Sequence, residues 1–364
     1  MKHPTCCLLV FLLGTSESSA MPQNSPSCAL DKTSNSSVTV SVEPSITQIR
    51  QKVAVSAGQG LAYNLALAEG SALYARFQVS GGLNNTIKVW LLDERNYQRY
   101  NAHQQFSYFT GTSGQIRGTG NYVFQVPATN LYYLVVDNSQ AWVLPRDVQL
   151  YVYSVLPQHN SETIATEQTL NTAFGKLGEL FVFPSFHISL KHCGVVNAFS
   201  NPDITICSEL AETLAEQNLG DAISFVIFHE LGHSLMRLWG LPSYDNEDVA
   251  DEFATVFMVL GKQQKGALQA AQWWASQTSQ QEALSKLWID DRHTVSPQRA
   301  RNIIHWLQQS DLLQRWFHVF VPHIQTGALS QMLGDSSLNV DKEQIRAELQ
   351  RRGCTTQQVA KLLP

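Results

Sequence analysis

Charge is scarce in this sequence. Asp, Glu, Lys and Arg make up 15% of 364 residues, and 25 cationic against 30 acidic side chains leave a formal net charge of −5. No basic stripe or acidic block breaks this balance. That argues against nucleic acid, or any strongly charged surface, as a partner. Long apolar runs are missing too: past residue 20 no stretch is apolar enough for a membrane helix. There is no internal repeat and no low-complexity segment.

The one marked apolar run, 6–13, follows Lys2 and His3 and precedes Ser18-Ser19-Ala20. This is the pattern of a secretory signal with cleavage after Ala20. The run is too short to span a bilayer, and no cysteine follows the cleavage site directly. A lipid-anchored form is therefore not supported. Cleavage removes Cys6 and Cys7 and leaves Cys28, Cys193, Cys207 and Cys354. In an oxidising compartment four cysteines permit two disulfides, in three pairings. Cys193 and Cys207 flank an expected hairpin and are the first choice, with free buried thiols the alternative.

Residues 21–40 are rich in Ser, Asn, Pro and Thr and read as a flexible leader. From 41 to 156, short runs of β-branched and aromatic residues alternate with Gly, Asn, Asp or Pro. The runs 63–67, 74–79, 87–92, 122–126, 132–136 and 148–153 predict a β-sandwich. In it, Tyr97, Tyr100, Tyr108 and Trp142 read as core, with sugar or peptide binding as the alternative. His103 reads as a solvated loop residue. Residues 157–162 are the expected linker. Beyond it, helical periodicity over 167–179, 208–217, 221–239 and 247–260 surrounds short strands at 186–190, 195–199 and 204–207. Further helix starts lie at Ser296-Pro297, Asp341 and Thr355. The expected fold class is α+β with two domains: an all-β sandwich over 41–156, then a mainly helical domain with a small sheet over 163–364.

The chemistry centres on His229-Glu230-Leu231-Gly232-His233, an H-E-x-x-H motif. Residues four apart share a helix face, so both imidazoles can reach one ion. The helix is otherwise apolar, and two histidines with a glutamate are costly there without partners. A zinc ion would accept both imidazoles and activate a water for Glu230 as general base. A hydrogen-bonded pair of core histidines is the plain alternative. A catalytic zinc needs three protein ligands and an open position. Glu247, one turn before Asp251 on the next helix, is the expected third ligand. Asp251 would then accept the outer N–H of a ligand histidine; Asp251 as ligand is the alternative. Glu252 points elsewhere on the helix.

HELGH followed by E-x-x-A-D at 247–251 resembles the gluzincin metallopeptidases. That resemblance implies zinc, a zincin-like domain, Glu247 as third ligand and Asp251 in the outer shell. Asn197-Ala198-Phe199 looks like the N-A-F edge strand on which such enzymes pair substrate backbone. Such pairing holds an extended peptide without reading its side chains. The segments 193–199, 206–210 and 247–254 bring the chain closer still to the bacterial metallopeptidase family DUF4344. Asp291-Arg292-His293, Gln298-Arg299 and Asn302 resemble that family's later segment. The likeness covers about residues 165–310 and omits the sandwich. Two positions depart from the pattern. Asn246 stands where an acid is expected. His305 stands where Cys is frequent, so Cys354 lacks that partner and could pair with Cys28.

The sequence therefore reads as an exported zinc endopeptidase, periplasmic or secreted, acting on peptide or protein substrates. His293 and Tyr244 are candidate donors to the substrate oxyanion. His187, His192, His305, His318 and His323 read as structural or exposed. The alternatives are a zincin-fold binding or scaffold protein without turnover, and a carbohydrate- or protein-binding protein acting through the sandwich.

Overall fold

The structure is a computed structural model that describes residues 36–43, 45–82, 84–156, 161–276, 297–335 and 340–361. The expected signal segment, the leader up to residue 35, Cys28 and the 291–293 triplet lie outside the described residues. The chain forms two compact units, Glu43–Thr163 and a second made of Met1–Val42 with Ile164–Pro364. The first unit is thus inserted into the second.

Strand β1, Val38–Val42, opens the described chain, and it corrects the expected leader, which was to run to residue 40. Val38 and Val40 are buried, and the strand pairs in parallel with β10, Phe186–Lys191. Its other edge is held by side chains of α2, Ser161–Leu180. Asn171 accepts from the Val40 N–H at 2.8 Å and donates to its carbonyl at 3.0 Å, while Glu167 accepts from Val42 N–H at 2.7 Å. His187 bonds Thr39 and Ser41 through its two ring nitrogens. The strand is five residues long in polar company and its partner is 148 positions away. Local pattern does not expose such a pairing. The helix α2 also begins six residues before the expected start and takes the last two residues of the expected linker.

The inserted unit is a sandwich of two four-stranded antiparallel sheets. Strands β2 (Ser45–Val55), β9 (Arg146–Val155), β4 (Ala72–Ser80) and β7 (Thr119–Gln125) form one sheet in that order; β3 (Gly60–Leu67), β8 (Asn130–Asp137), β5 (Thr86–Asp93) and β6 (Gly114–Arg117) form the other. Alternation sets the core: on β4, Leu73, Ala75, Phe77 and Val79 are buried between more exposed neighbours. With Leu65, Val89, Leu134 and Leu150 they make one cluster. Helix α1, Glu94–Asn101, was not expected. Asp93 caps it by accepting from Asn96 N–H at 2.7 Å. Its face places Tyr97 on Tyr133, stacked at 4.1 Å, and Tyr100 against Phe106 at 5.5 Å. Tyr108 lies on Trp90 at 4.9 Å. Tyr108, at 45%, and Trp142, at 96%, are nevertheless exposed, which corrects the expectation of core at these two positions.

The second unit is mainly helical around the sheet β1-β10-β12-β11, with β11 at Ala198–Ser200 and β12 at Ile204–Cys207. Strand β11 pairs antiparallel with β12 and is an edge of the sheet. It is shorter than the expected 195–199 strand, and Asn197 stands just before it. The helices are α3 (Ser208–Glu216), α4 (Ala222–Leu238), α5 (Glu247–Leu260), α6 (Gln264–Ser276), α7 (Pro297–Leu307), α8 (Leu312–Phe320), α9 (Thr326–Gly334), α10 (Lys342–Arg351) and α11 (Thr356–Ala360). Every residue of α4 from Ala222 to Met236 is buried, as its all-round apolar sequence requires. Gly232 lets α5 approach closely: a Cβ there would lie 3.0 Å from the Phe253 ring. Among the described residues no helix is long and apolar enough to cross a membrane.

Candidate metal centre

Two helices build the centre. Helix α4 carries His229 and His233 with their Nε2 atoms 3.1 Å apart. Helix α5 is capped by Asn246, whose side chain accepts from the Val249 N–H at 3.1 Å. The residue that departs from the family pattern is thus the helix cap. Capping sets Glu247 as the first helical residue, facing α4. Its Oε2 lies 3.3 Å from His229 Nε2 and its Oε1 3.3 Å from His233 Nε2. Ligand atoms about 2.0–2.1 Å from a tetrahedral zinc stand roughly 3.3 Å from one another. The three donors therefore fit a cation of that size, and His229, His233 and Glu247 together could hold a metal ion.

The outer ring nitrogens are fixed by acceptors. His233 Nδ1 lies 2.6 Å from the Tyr244 carbonyl oxygen. A carbonyl only accepts, so Nδ1 carries the proton and Nε2 presents its lone pair. His229 Nδ1 lies 2.8 Å from Asp251 Oδ1. Asp251 thus occupies the outer position, and Glu247 joins the two Nε2 atoms. Glu252 turns away to Arg315. Tyr244 meets the centre through its carbonyl, and its ring lies 4.2 Å from the Arg237 guanidinium.

Arg299, on α7, is the residue whose role sequence reasoning missed. Its Nε and Nη2 donate to Asp251 at 2.6 and 2.7 Å, and Nη1 lies 3.0 Å from Glu247 Oε2. The guanidinium also packs 4.2 Å from the Trp274 ring. Burial alone lifts the Asp251 carboxyl, but Arg299 and His229 outweigh it and hold the group below the ordinary carboxylate value. Burial pushes the His229 imidazole down, and its bonds to Asp251 and Glu247 reverse this, raising it to about 9.

A small cavity of about 30 Å³ joins the motif to the sheet edge. Asn197 and Ala198 line it from the edge, His229 and Glu230 from α4, and Trp273 from α6. The approach to β11 is clamped. Cys193 and Cys207 form a disulfide with Cα atoms 5.4 Å apart. Buried Glu209 accepts from the N–H groups of Cys193, at 3.2 Å, and Gly194. His192, pushed down to about 3 by burial, lies 3.1 Å from the same carboxylate. Cys354 is also disulfide-bonded; Cys28, with which it could pair, lies outside the described residues. His305 bonds Gln309, His323 stacks on Trp239 at 4.3 Å, and His318 is exposed.

With this geometry in view, the sequence finds its relatives. Residues 154–319 match the DUF4344 family model. The description of DUF4344 is "Putative metallopeptidase". The matched segment holds both histidines, Glu230, Glu247, Asp251 and Arg299, and it omits most of the inserted sandwich. No curated protein matches the chain. Among solved structures, PliG of Aeromonas hydrophila, a periplasmic lysozyme inhibitor of g-type lysozyme, is similar at 13% identity. The match covers 32% of this chain and 98% of that one, with a TM-score of 0.19. A functionally unknown conserved protein from Bacillus anthracis is 10% identical over 83% of this chain and 80% of its own, with a TM-score of 0.17. At these scores neither likeness carries an argument about this protein.

Proposed function

We propose that the protein is an exported zinc endopeptidase whose centre is His229, His233 and Glu247. The observation that carries this reading is the donor triangle with its outer nitrogens already tied to acceptors, set beside Glu230 and a sheet edge. When bound, zinc would supply Lewis acidity, activating water and polarising a carbonyl. Glu230 takes the proton of the attacking water and delivers it to the leaving amine. The edge at Asn197, Ala198 and Phe199 holds the peptide extended by main-chain pairing, so that its carbonyl meets the centre. Asp251 and Arg299 fix the His229 ring. His293 stays a candidate for the substrate side of the site. The signal-like N-terminus and the disulfide support export, with the periplasm as destination.

Metal analysis combined with cleavage profiling on a proteome-derived peptide library tests the proposal. Wild type is expected to bind one zinc and to cleave peptides. His229→Ala loses both. Glu230→Gln keeps the zinc and loses roughly 10²–10⁴ in rate. Zinc binding with no cleavage by wild type would leave a binding protein, and absence of zinc after reconstitution would remove the whole reading.

A further inference from the structure

Trp273 has a buried polar atom that bonds nothing among the described residues. It lies on α6 and is 6% exposed, and among the described residues its indole Nε1 has no hydrogen-bond partner. Buried indole N–H groups ordinarily find an acceptor. A phenylalanine would fill part of the same space without stranding a donor. The neighbouring Trp274 is used differently, as the platform for Arg299.

The position of the orphan is informative. Trp273 lines the cavity that also holds Asn197, Ala198, His229 and Glu230. The sheet edge, the general base and the Trp273 side chain therefore line one space. Of the two other candidate donors, Tyr244 meets the centre through its carbonyl, and His293 lies outside the described residues.

We propose that Trp273 donates its indole N–H to the carbonyl oxygen of the peptide bond being cut. The assignment rests on the peptidase reading above. A donor held in place by packing needs no reorganisation as that oxygen gains charge. Among the described residues it has no bond to give up before substrate arrives. The bond strengthens as the carbonyl oxygen becomes an oxyanion, so it favours the transition state over bound substrate.

Trp273→Phe in the full zinc-loaded chain tests this. The expected result is a kcat about 100-fold lower with KM nearly unchanged. Zinc content stays at wild-type level. Unchanged kcat overturns the assignment, and so does a loss confined to KM. A second measurement does not depend on turnover. In protein labelled with ¹⁵N at the tryptophan indoles, the resonance missing from Trp273→Phe is that of Trp273. A phosphonate peptide, with an anionic oxygen in place of the carbonyl, should move that N–H downfield in wild type and in Glu230→Gln. Bound peptide with an unmoved Trp273 resonance overturns the inference and leaves the peptidase reading standing. A zinc-loaded wild type that neither binds the phosphonate nor cleaves peptide overturns both.

Discussion

Arg299 faces two carboxylates with one guanidinium. Asp251 is fully buried and takes two of its donors, and Glu247 takes a third. Removing the cation strands buried negative charge, which costs about 3–5 kcal/mol when a buried pair is broken. Arg299→Met should therefore lower unfolding stability by that amount in urea titrations. Arg299→Lys should lie between, since a point charge cannot span both acids. Equal midpoints for all three proteins would show that the fork contributes nothing. This residue also marks the limit of local reading. His229, His233, Glu247 and Asp251 are legible because helical spacing places each pair on one face. Arg299 lies 48 positions from Asp251 and no spacing rule joins them. Trp273 is further from view, because an orphan donor is a property of packing.

Among the elements, helices α3, α4 and α5 and the short strands β10 and β12 were legible, while β1 and α1 were not. The apolar run that became α4 and the acidic start of α5 carry their own signals. Helix α1 has eight residues and sits among strand signals, so its capping Asp93 passed unnoticed. At the other end of the chain, α10 carries a charge-dependent joint. Buried Glu348 accepts from Arg351 at 2.6 Å and Arg352 at 2.7 Å. Arg352 in turn donates to the carbonyls of Ile324, at 2.6 Å, and Pro322, at 3.0 Å. Burial raises the Glu348 carboxyl, but the two guanidinium groups outweigh it and leave it below the ordinary value. A lowered folded pKa means the contribution is complete above the unfolded carboxylate value. It fades as pH falls through the folded one. Glu348→Gln should cost about 1–3 kcal/mol at pH 7. Its urea midpoint should fall less than that of wild type as the solution is acidified below the ordinary carboxylate range. Parallel falls would rule the joint out as a source of acid sensitivity.

At the scale of the molecule, the α+β class and the sandwich were legible, since alternation on six strands is a repeated signal. The nesting of one unit inside the other was not, because it depends on β1 alone. Among the described residues, the sandwich core draws only on its own unit. A fragment of residues 43–163 should accordingly unfold in a single cooperative transition, with near-ultraviolet dichroism and fluorescence coinciding. A broad transition with separated probes would contradict this. The nesting also sets an order of events during synthesis. β1 leaves the ribosome long before β10, and every strand of the sandwich is made in between. The first and last sandwich strands pair at Ser45 and Val155, so folding of the sandwich gathers the two ends of the long loop that the β1–β10 pairing must close. A substitution that cripples the sandwich should then reduce the yield of assembled metal centre without altering any residue of it.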